Sequence, residues 1–327
     1  MRHLRNAAIV GLLIAMLPSA AAVAAQPYPH KPIRLVVPFG VGGPGDAIGR
    51  LLGRQLTESL GQPVVIDNRS GATTIIGTEL VAKSPPDGHT LLLISTTHAV
   101  NPGLFAKLPY DPIRDFSPIT LITSTPFMLG IHPSVAAQTV AELVALARNK
   151  SGALNSLNYG SSGAGSSIHL TTELLKAAAN IQMTHVPYKG SGPAFIDLIG
   201  GQIQLLFSST VSTMPHVKSG KVRGLAITSL KRVPALPETP TIAESYPGFE
   251  SSSWFGLLVP AKTPPPVTDR LLKDTRAALK TPEVRQSLIS QGAEPGGQAP
   301  AEFAAYFLAE ITKWAKVIKS AGIKLDQ

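Results

Sequence analysis

Short apolar runs alternate with amphipathic helical patterns along most of this chain. That alternation limits the fold more than any other feature. Runs suited to strands fall at 33–37, 64–67, 91–94, 119–123, 127–131, 158–160, 182–185, 203–207, 222–227 and 256–259. Helical patterns fall at 46–60, 75–83, 140–150, 167–179, 193–199, 266–279, 282–291 and 300–320. In the first of these, Ile48, Leu51, Leu52, Leu56 and Leu60 share one face. Asp46 suits its N-cap and Gly61 its stop. Strands interleaved with helices predict an α/β protein with parallel sheets. No internal repeat is visible. The irregular stretch 232–253, rich in proline, acid and serine, is longer than an ordinary loop and suits a functional or inter-domain segment.

The first 25 residues read as an export signal. Arg2 and Arg5 give a basic start, residues 7–17 are an apolar core too short to span a bilayer, and Val23-Ala24-Ala25 fits a cleavage site before Gln26. An uncleaved anchor helix is the alternative, which Pro18 and the alanine tract disfavour. The chain has no cysteine, so it has no disulfide, thiolate metal site or lipid-anchored cysteine. No later segment approaches the ~18 apolar residues of a membrane helix. Residues 26–327 are many for one core and suit two domains. Net charge is +9, with the cations scattered. An exported protein seldom meets nucleic acid. A surface favouring anionic solutes fits better, beside the plainer reading of a solvated basic surface.

Four loops of small and polar residues sit at strand ends. The first, Pro38-Phe39-Gly40-Val41-Gly42-Gly43-Pro44-Gly45-Asp46, joins a strand to a helix. Glycine lets backbone approach a ligand, and bare N–H groups at a helix start attract anions. Its Gly40, Gly42 and Gly45 match a dinucleotide fingerprint, and Asp67 follows near the ~20-residue spacing expected of a ribose-binding acid. Against that reading, Pro44 offers no N–H, Asp46 puts a negative charge where pyrophosphate would lie, and export leads away from nicotinamide cofactors. A tight turn without a ligand is the other alternative. The second loop, 159–167, opens a helix with Ser162, Gly165, Ser166 and Ser167, a pattern for a carboxylate pocket rather than a linker. The third, 70–74, holds Gly71 and Thr73, and the fourth, 95–98, holds Thr97. Such loops at strand ends are the pattern of a ligand cleft in α/β domains.

Catalytic constellations are poor. There is no Gly-x-Ser-x-Gly elbow and no His-Glu-x-x-His, and the eight histidines lack metal-ligand spacing. His169, near the second loop, is a candidate ligand donor or a packed cap. Lys189 is a candidate anion partner or a solvated turn residue. Trp254 and Phe255 suit a pocket, a hinge or plain core.

Motifs spread over nearly the whole of residues 26–327 resemble one family. They include Pro29-His30-Lys31-Pro32-Ile33-Arg34, Gly42-Gly43-Pro44-Gly45-Asp46, Leu60-Gly61-Gln62-Pro63 and Asp67-Asn68-Arg69. His98-Ala99-Val100-Asn101-Pro102, Leu108-Pro109-Tyr110-Asp111-Pro112, His185-Val186-Pro187-Tyr188-Lys189-Gly190 and Leu236-Pro237-Glu238-Thr239-Pro240-Thr241 follow in order. The chain resembles the Bug family, the periplasmic solute receptors of tripartite tricarboxylate transporters. The resemblance implies a two-lobed type II periplasmic-binding fold with a ligand cleft between the lobes, which closes on a carboxylate held by backbone N–H groups, hydroxyls and water. By motif it carries Phe39, Gly43 and Asp46 to the first loop, Gly71 and Thr73 to the next, and Ser162, Gly165 and Ser166 to the opposite lobe. Gly42, Thr97, Ser167, His169, Lys189 and Ser208 complete the candidate ligand set. Three departures stand out: Gly40 where the family often has proline, Pro44-Gly45 where serine-threonine is common, and Ser208 where aspartate is common. A missing acid at Ser208 argues for an anion without an amino group, a dicarboxylate or an aromatic carboxylate.

The expected molecule is therefore a non-enzymatic monomer, exported to the periplasm and cleaved near Ala25. It uses no metal or cofactor, binds no nucleic acid, and delivers its ligand to permease subunits. Lobe one takes 26–124 and 254–327, lobe two takes 125–253, and the chain crosses near 124–127 and 252–255. A nicotinamide-dependent oxidoreductase and a receptor feeding a sensor kinase remain as alternatives.

Overall fold

The protein is described by a computed structural model covering residues 27–149, 157–234 and 236–323. The export segment and its cleavage site lie outside the described residues, as does Lys150 at the end of the expected helix 140–150.

The chain opens with β1 (Ile33–Val37), α1 (Pro44–Leu60), β2 (Val64–Asn68), α2 (Ile75–Ala82), β3 (Thr90–Ser95) and α3 (Thr96–Leu104). The long β4 (Phe116–Ile131) leads to α4 (Val140–Asn149), β5 (Asn158–Ser161), α5 (Ser167–Ala179), β6 (Thr184–Pro187) and α6 (Ser191–Ile199). Next come β7 (Leu205–Ser209), α7 (Thr210–Lys218) and β8 (Arg223–Ile227). The return comprises β9 (Ser252–Pro260), α8 (Pro265–Lys280), α9 (Pro282–Ser290), β10 (Glu294–Pro295) and α10 (Pro300–Ala321).

The strands run in the order β2-β1-β3-β9-β4-β7-β5-β6, with β8 and β10 also on β4. β1 is parallel to β2 and β3, and β5 to β6 and β7, as the alternation predicts. At the centre the pairing turns antiparallel: β9 is antiparallel to β3 and β4, and β4 to β7 and β8. These two strands carry the chain from one half to the other. From Phe116 to Pro126 β4 pairs with β9, and from Phe127 to Ile131 with β7 and β8. The two strands expected at 119–123 and 127–131 are thus one. Pro118 and Pro126 read as breakers because proline lacks a ladder N–H. Register shifts at Pro118/Thr120 and Leu121/Thr123 take up the irregularity.

Side-chain alternation builds the cores. Leu35 and Val37 of β1 join Leu52, Leu56, Leu271 and Leu288 of α1, α8 and α9 on one face. Val36 points the other way, to Val100, Phe303 and Trp314 of α3 and α10. Burial on both faces explains the unbroken apolar run of β1. A further core collects Leu129, Leu143, Tyr159, Leu198, Phe207 and Ala226 in the other half. Where β9 crosses, the indole N–H groups of Trp254 and Trp314 both donate to Glu310 Oε2 at 2.9 Å, and all three side chains are buried. Parts of the irregular stretch 232–253 are packed: Ile242 and Phe249 enter the core of the other half, and Thr241 closes a capping box with Glu244.

Candidate functional site

A cavity of about 320 Å³ opens between the two halves. One wall is Thr73 with Ser95, Thr96, Thr97, Val100 and Leu104 at the start of α3. The opposite wall is the run from Ser162 to Ser167 that leads into α5, and Ser253 and Phe255 of β9 complete the lining.

Two helix starts therefore face one space. Ser95 caps α3 by accepting the Thr97 amide at 3.2 Å, and Ser166 caps α5 by accepting the His169 amide at 3.3 Å. Each cap takes one orphan amide and leaves others of the first turn without an intrahelical partner. Among the described residues the lining holds hydroxyls and apolar groups and no charged side chain. Such a space suits an anion held by amide and hydroxyl dipoles, with Val100, Leu104 and Phe255 against an apolar portion.

The Thr73 wall is strained. Gly71, Ala72, Thr73 and Thr74 all have positive φ, at 131°, 43°, 53° and 73°. Left-handed threonine is uncommon because its branched Cβ crowds the backbone. Side chains hold the turn from behind: Asn101 Nδ2 donates to the Thr73 carbonyl and Thr78 Oγ1 to that of Thr74, both at 2.9 Å. Strain so enforced is characteristic of ligand clamps.

The glycine loop that matches the dinucleotide pattern stays outside this lining. α1 starts at Pro44 with Gly43 as N-cap, so the expected cap, Asp46, sits inside the first turn. Its carboxylate turns back on the loop, accepting from Gly42 N at 2.9 Å, Arg50 Nε at 3.0 Å and Asn68 Nδ2 at 3.0 Å. The Arg50 bond, then the Gly42 amide, hold the Asp46 carboxyl down at about 2. The anion attracted by this helix start is the protein's own. Phe39, whose carbonyl accepts from Asn68, sets its ring edge-on to Phe255 of the cavity wall, with centroids 5.8 Å apart. Gly45 has a packing reason: a Cβ there would lie 2.4 Å from the Phe39 ring. Asp67, the expected ribose acid, is engaged by Arg34 and Arg69.

Of the candidate set, Thr73, Thr97, Ser162, Gly165, Ser166 and Ser167 come together in the cavity. Phe39, Gly42, Gly43, Asp46 and Gly71 are not among its lining residues. His169 is buried beneath the second loop, and its Nδ1 accepts the Gly165 amide at 3.0 Å. Lys189 is exposed and is not among the lining residues. Ser208 is buried in β7 opposite Met128 and does not line the cavity. The missing acid there consequently says nothing about an amino group on the ligand. The cavity also uses Val100 and Leu104, which the sequence reading did not single out. Read as a loop, 95–98 hid the helix that places them one turn apart, because Pro102 inside it looks like a breaker. Its only local signal was Ser95 as a cap.

A family model described as the tripartite tricarboxylate transporter family receptor matches residues 48–323. Protein BugT of Bordetella pertussis is 37% identical over 332 residues, covering 99% of this chain and 100% of that one. Among solved structures, R. palustris Rpa4515 with adipate is 39% identical with a TM-score of 0.74, covering 91% of this chain and 100% of that one. MatC (Rpa3494) from Rhodopseudomonas palustris with bound malate is 32% identical with a TM-score of 0.69, covering 89% and 100%. The fold is the two-lobed α/β fold of periplasmic solute-binding proteins, and these relatives are binding receptors rather than enzymes.

Proposed function

The chain belongs to the tripartite tricarboxylate transporter receptor family, and we propose that it captures a small carboxylate between its lobes and delivers it to permease subunits in the membrane. The observation that carries this reading is the cavity where the capped starts of α3 and α5 meet around hydroxyls, with no charged side chain in the wall among the described residues. One carboxylate group is held by the first-turn amides and hydroxyls of α5, with Ser162, Ser166 and Ser167, while Gly165, its own amide bound to His169, shapes the loop. The remainder of the ligand lies along Val100, Leu104 and Phe255 toward Thr73 and Thr97. The adipate and malate bound by the relatives support a dicarboxylate. Phe255 also suits an aromatic carboxylate.

Hinge closure does the work. The lobes are 26–124 with 254–327, and 125–253, linked where β4 and β9 pair side by side. A ligand touching both walls stabilises the closed state by its differential affinity for it. Phe39, Gly42, Gly43, Asp46 and Gly71 then act as support, with Asp46 holding the first loop through the Gly42 amide and Phe39 packing its ring on Phe255. The chain works as a monomer in the periplasm, after cleavage near Ala25.

A thermal-shift panel of dicarboxylates, aromatic carboxylates, amino acids and sugars tests the reading. Carboxylates raise the melting temperature if it is right. A response confined to amino acids or sugars overturns it.

A further inference from the structure

Beneath the 162–167 loop lies a stack of rings that the ligand reading leaves unused. His169 of α5 and His185 of β6 lie face to face, with centroids 3.8 Å apart and planes 9° apart. Tyr159 of β5 continues the pile, 4.9 Å from His185. Each imidazole holds one part of the loop. His169 Nδ1 accepts the Gly165 amide at 3.0 Å. His185 Nε2 lies 2.6 Å from Ser161 Oγ, which in turn meets the amide and carbonyl of Gly163 at 3.1 and 3.0 Å. Gly163 and Gly165 sit at φ 130° and 74°, so the loop depends on these anchors for its shape.

The geometry fixes the protonation state. A backbone N–H can only donate, so His169 Nδ1 carries no proton and the neutral ring bears its hydrogen on Nε2. That nitrogen is 3.9 Å from Glu173 Oε1, which also accepts from Lys176 at 2.7 Å and from Tyr159 Oη. The charged groups facing the stack are thus Glu173 and Lys176 of α5, with the His185 ring opposite. Burial first, then His185 and Lys176, pull His169 down to about 4 against the opposing pull of Glu173. His185 is lowered as well, again mainly by burial. The positive start of α5 acts in the same direction.

We propose that His169 is the positioning residue of the ligand loop: its neutral ring pins Gly165, and the pinned loop presents the amides and hydroxyls that a carboxylate meets. Protonation would set one N–H against another and release the loop. The link to binding rests on the carboxylate-receptor reading; the pin itself does not.

The test separates the two. In ¹⁵N-labelled, ligand-free protein, Gly165 amide exchange and the His169 ring signals are followed from pH 8 to pH 4. The expected result is an amide protected at neutral pH, losing protection as His169 titrates near 4. His169→Asn, whose Oδ1 can accept where Nδ1 did, keeps the protection without the pH response. His169→Leu loses it at all pH values. Binding of adipate and of malate is measured at pH 7.5. Whichever binds should weaken at least tenfold in H169L and stay within threefold of wild type in H169N. Equal Gly165 protection in wild type and H169L overturns the pin, whether or not either acid binds. Binding that falls as far in H169N as in H169L, with the amide still protected, overturns the positioning role in favour of direct ring contact with the ligand.

Discussion

Replacing Glu310 with leucine should be among the most damaging single changes away from the cavity. The chain has two tryptophans, both fully buried, and both donate to one oxygen of Glu310. Leucine leaves two buried N–H groups without an acceptor. Each orphan costs about 1–3 kcal/mol, so the pair costs about 2–6 kcal/mol, against a total stability of about 5–15 kcal/mol. Lys313, the salt-bridge partner of Glu310, is not stranded, because it also donates to the Glu250 carbonyl at 3.0 Å. Glu310→Gln keeps an acceptor for both indoles and should cost about 1 kcal/mol. Urea unfolding followed by tryptophan fluorescence measures the difference, and both indoles report on the site. Ligand affinity should fall with stability in E310L, since Trp254 lies between Ser253 and Phe255 of the cavity wall. A loss below about 1 kcal/mol, or equal losses in the two variants, would refute the reasoning.

Three further outcomes follow from named contacts. Asn101→Leu removes the support of the Thr73 carbonyl; carboxylate affinity measured by calorimetry should drop about tenfold, a loss of about 1.4 kcal/mol, with the melting temperature little changed because the Asn101 Oδ1 is already unpartnered. Gly45→Ala drives a methyl into the Phe39 ring and should cost about 1–3 kcal/mol in chemical denaturation. Burial holds His98 at about 4, below its ordinary value near 6.5. Its folded pKa is lowered, so its contribution is present above about 6.5 and is lost as pH falls toward 4, about 3 kcal/mol in all. His98→Phe should flatten that acid limb in stability measured against pH, and an unchanged slope would assign the limb to other groups.

Local signals made some elements legible. β1 and α5 have the bounds their patterns predict, because an apolar run and a serine cap act on neighbouring residues. α3 and α7 were hidden by Pro102 and Pro215, since tertiary packing rather than propensity holds those helices. β4 was read as two strands because its continuity comes from β9, far along the chain. In the cavity, Ser162, Gly165, Ser166 and Ser167 were legible as a capped helix start. Phe255 was recognisable only as a pocket, hinge or core aromatic. His169 was legible as a ligand donor or a packed cap next to the second loop; only the fold shows that its Nδ1 accepts the Gly165 amide.

Sequence alone determined that strands and helices alternate, that small polar loops end several strands, and which family the motifs resemble. These properties depend on residues within a few positions of one another. Tertiary structure decided which loops share a cavity. The dinucleotide-like loop satisfies its own helix start with Asp46, while the starts of α3 and α5, far apart in sequence, face each other across the lobes. A helix end attracts an anion wherever it occurs. Whether that anion is a side chain or a guest depends on what the fold brings within hydrogen-bonding distance.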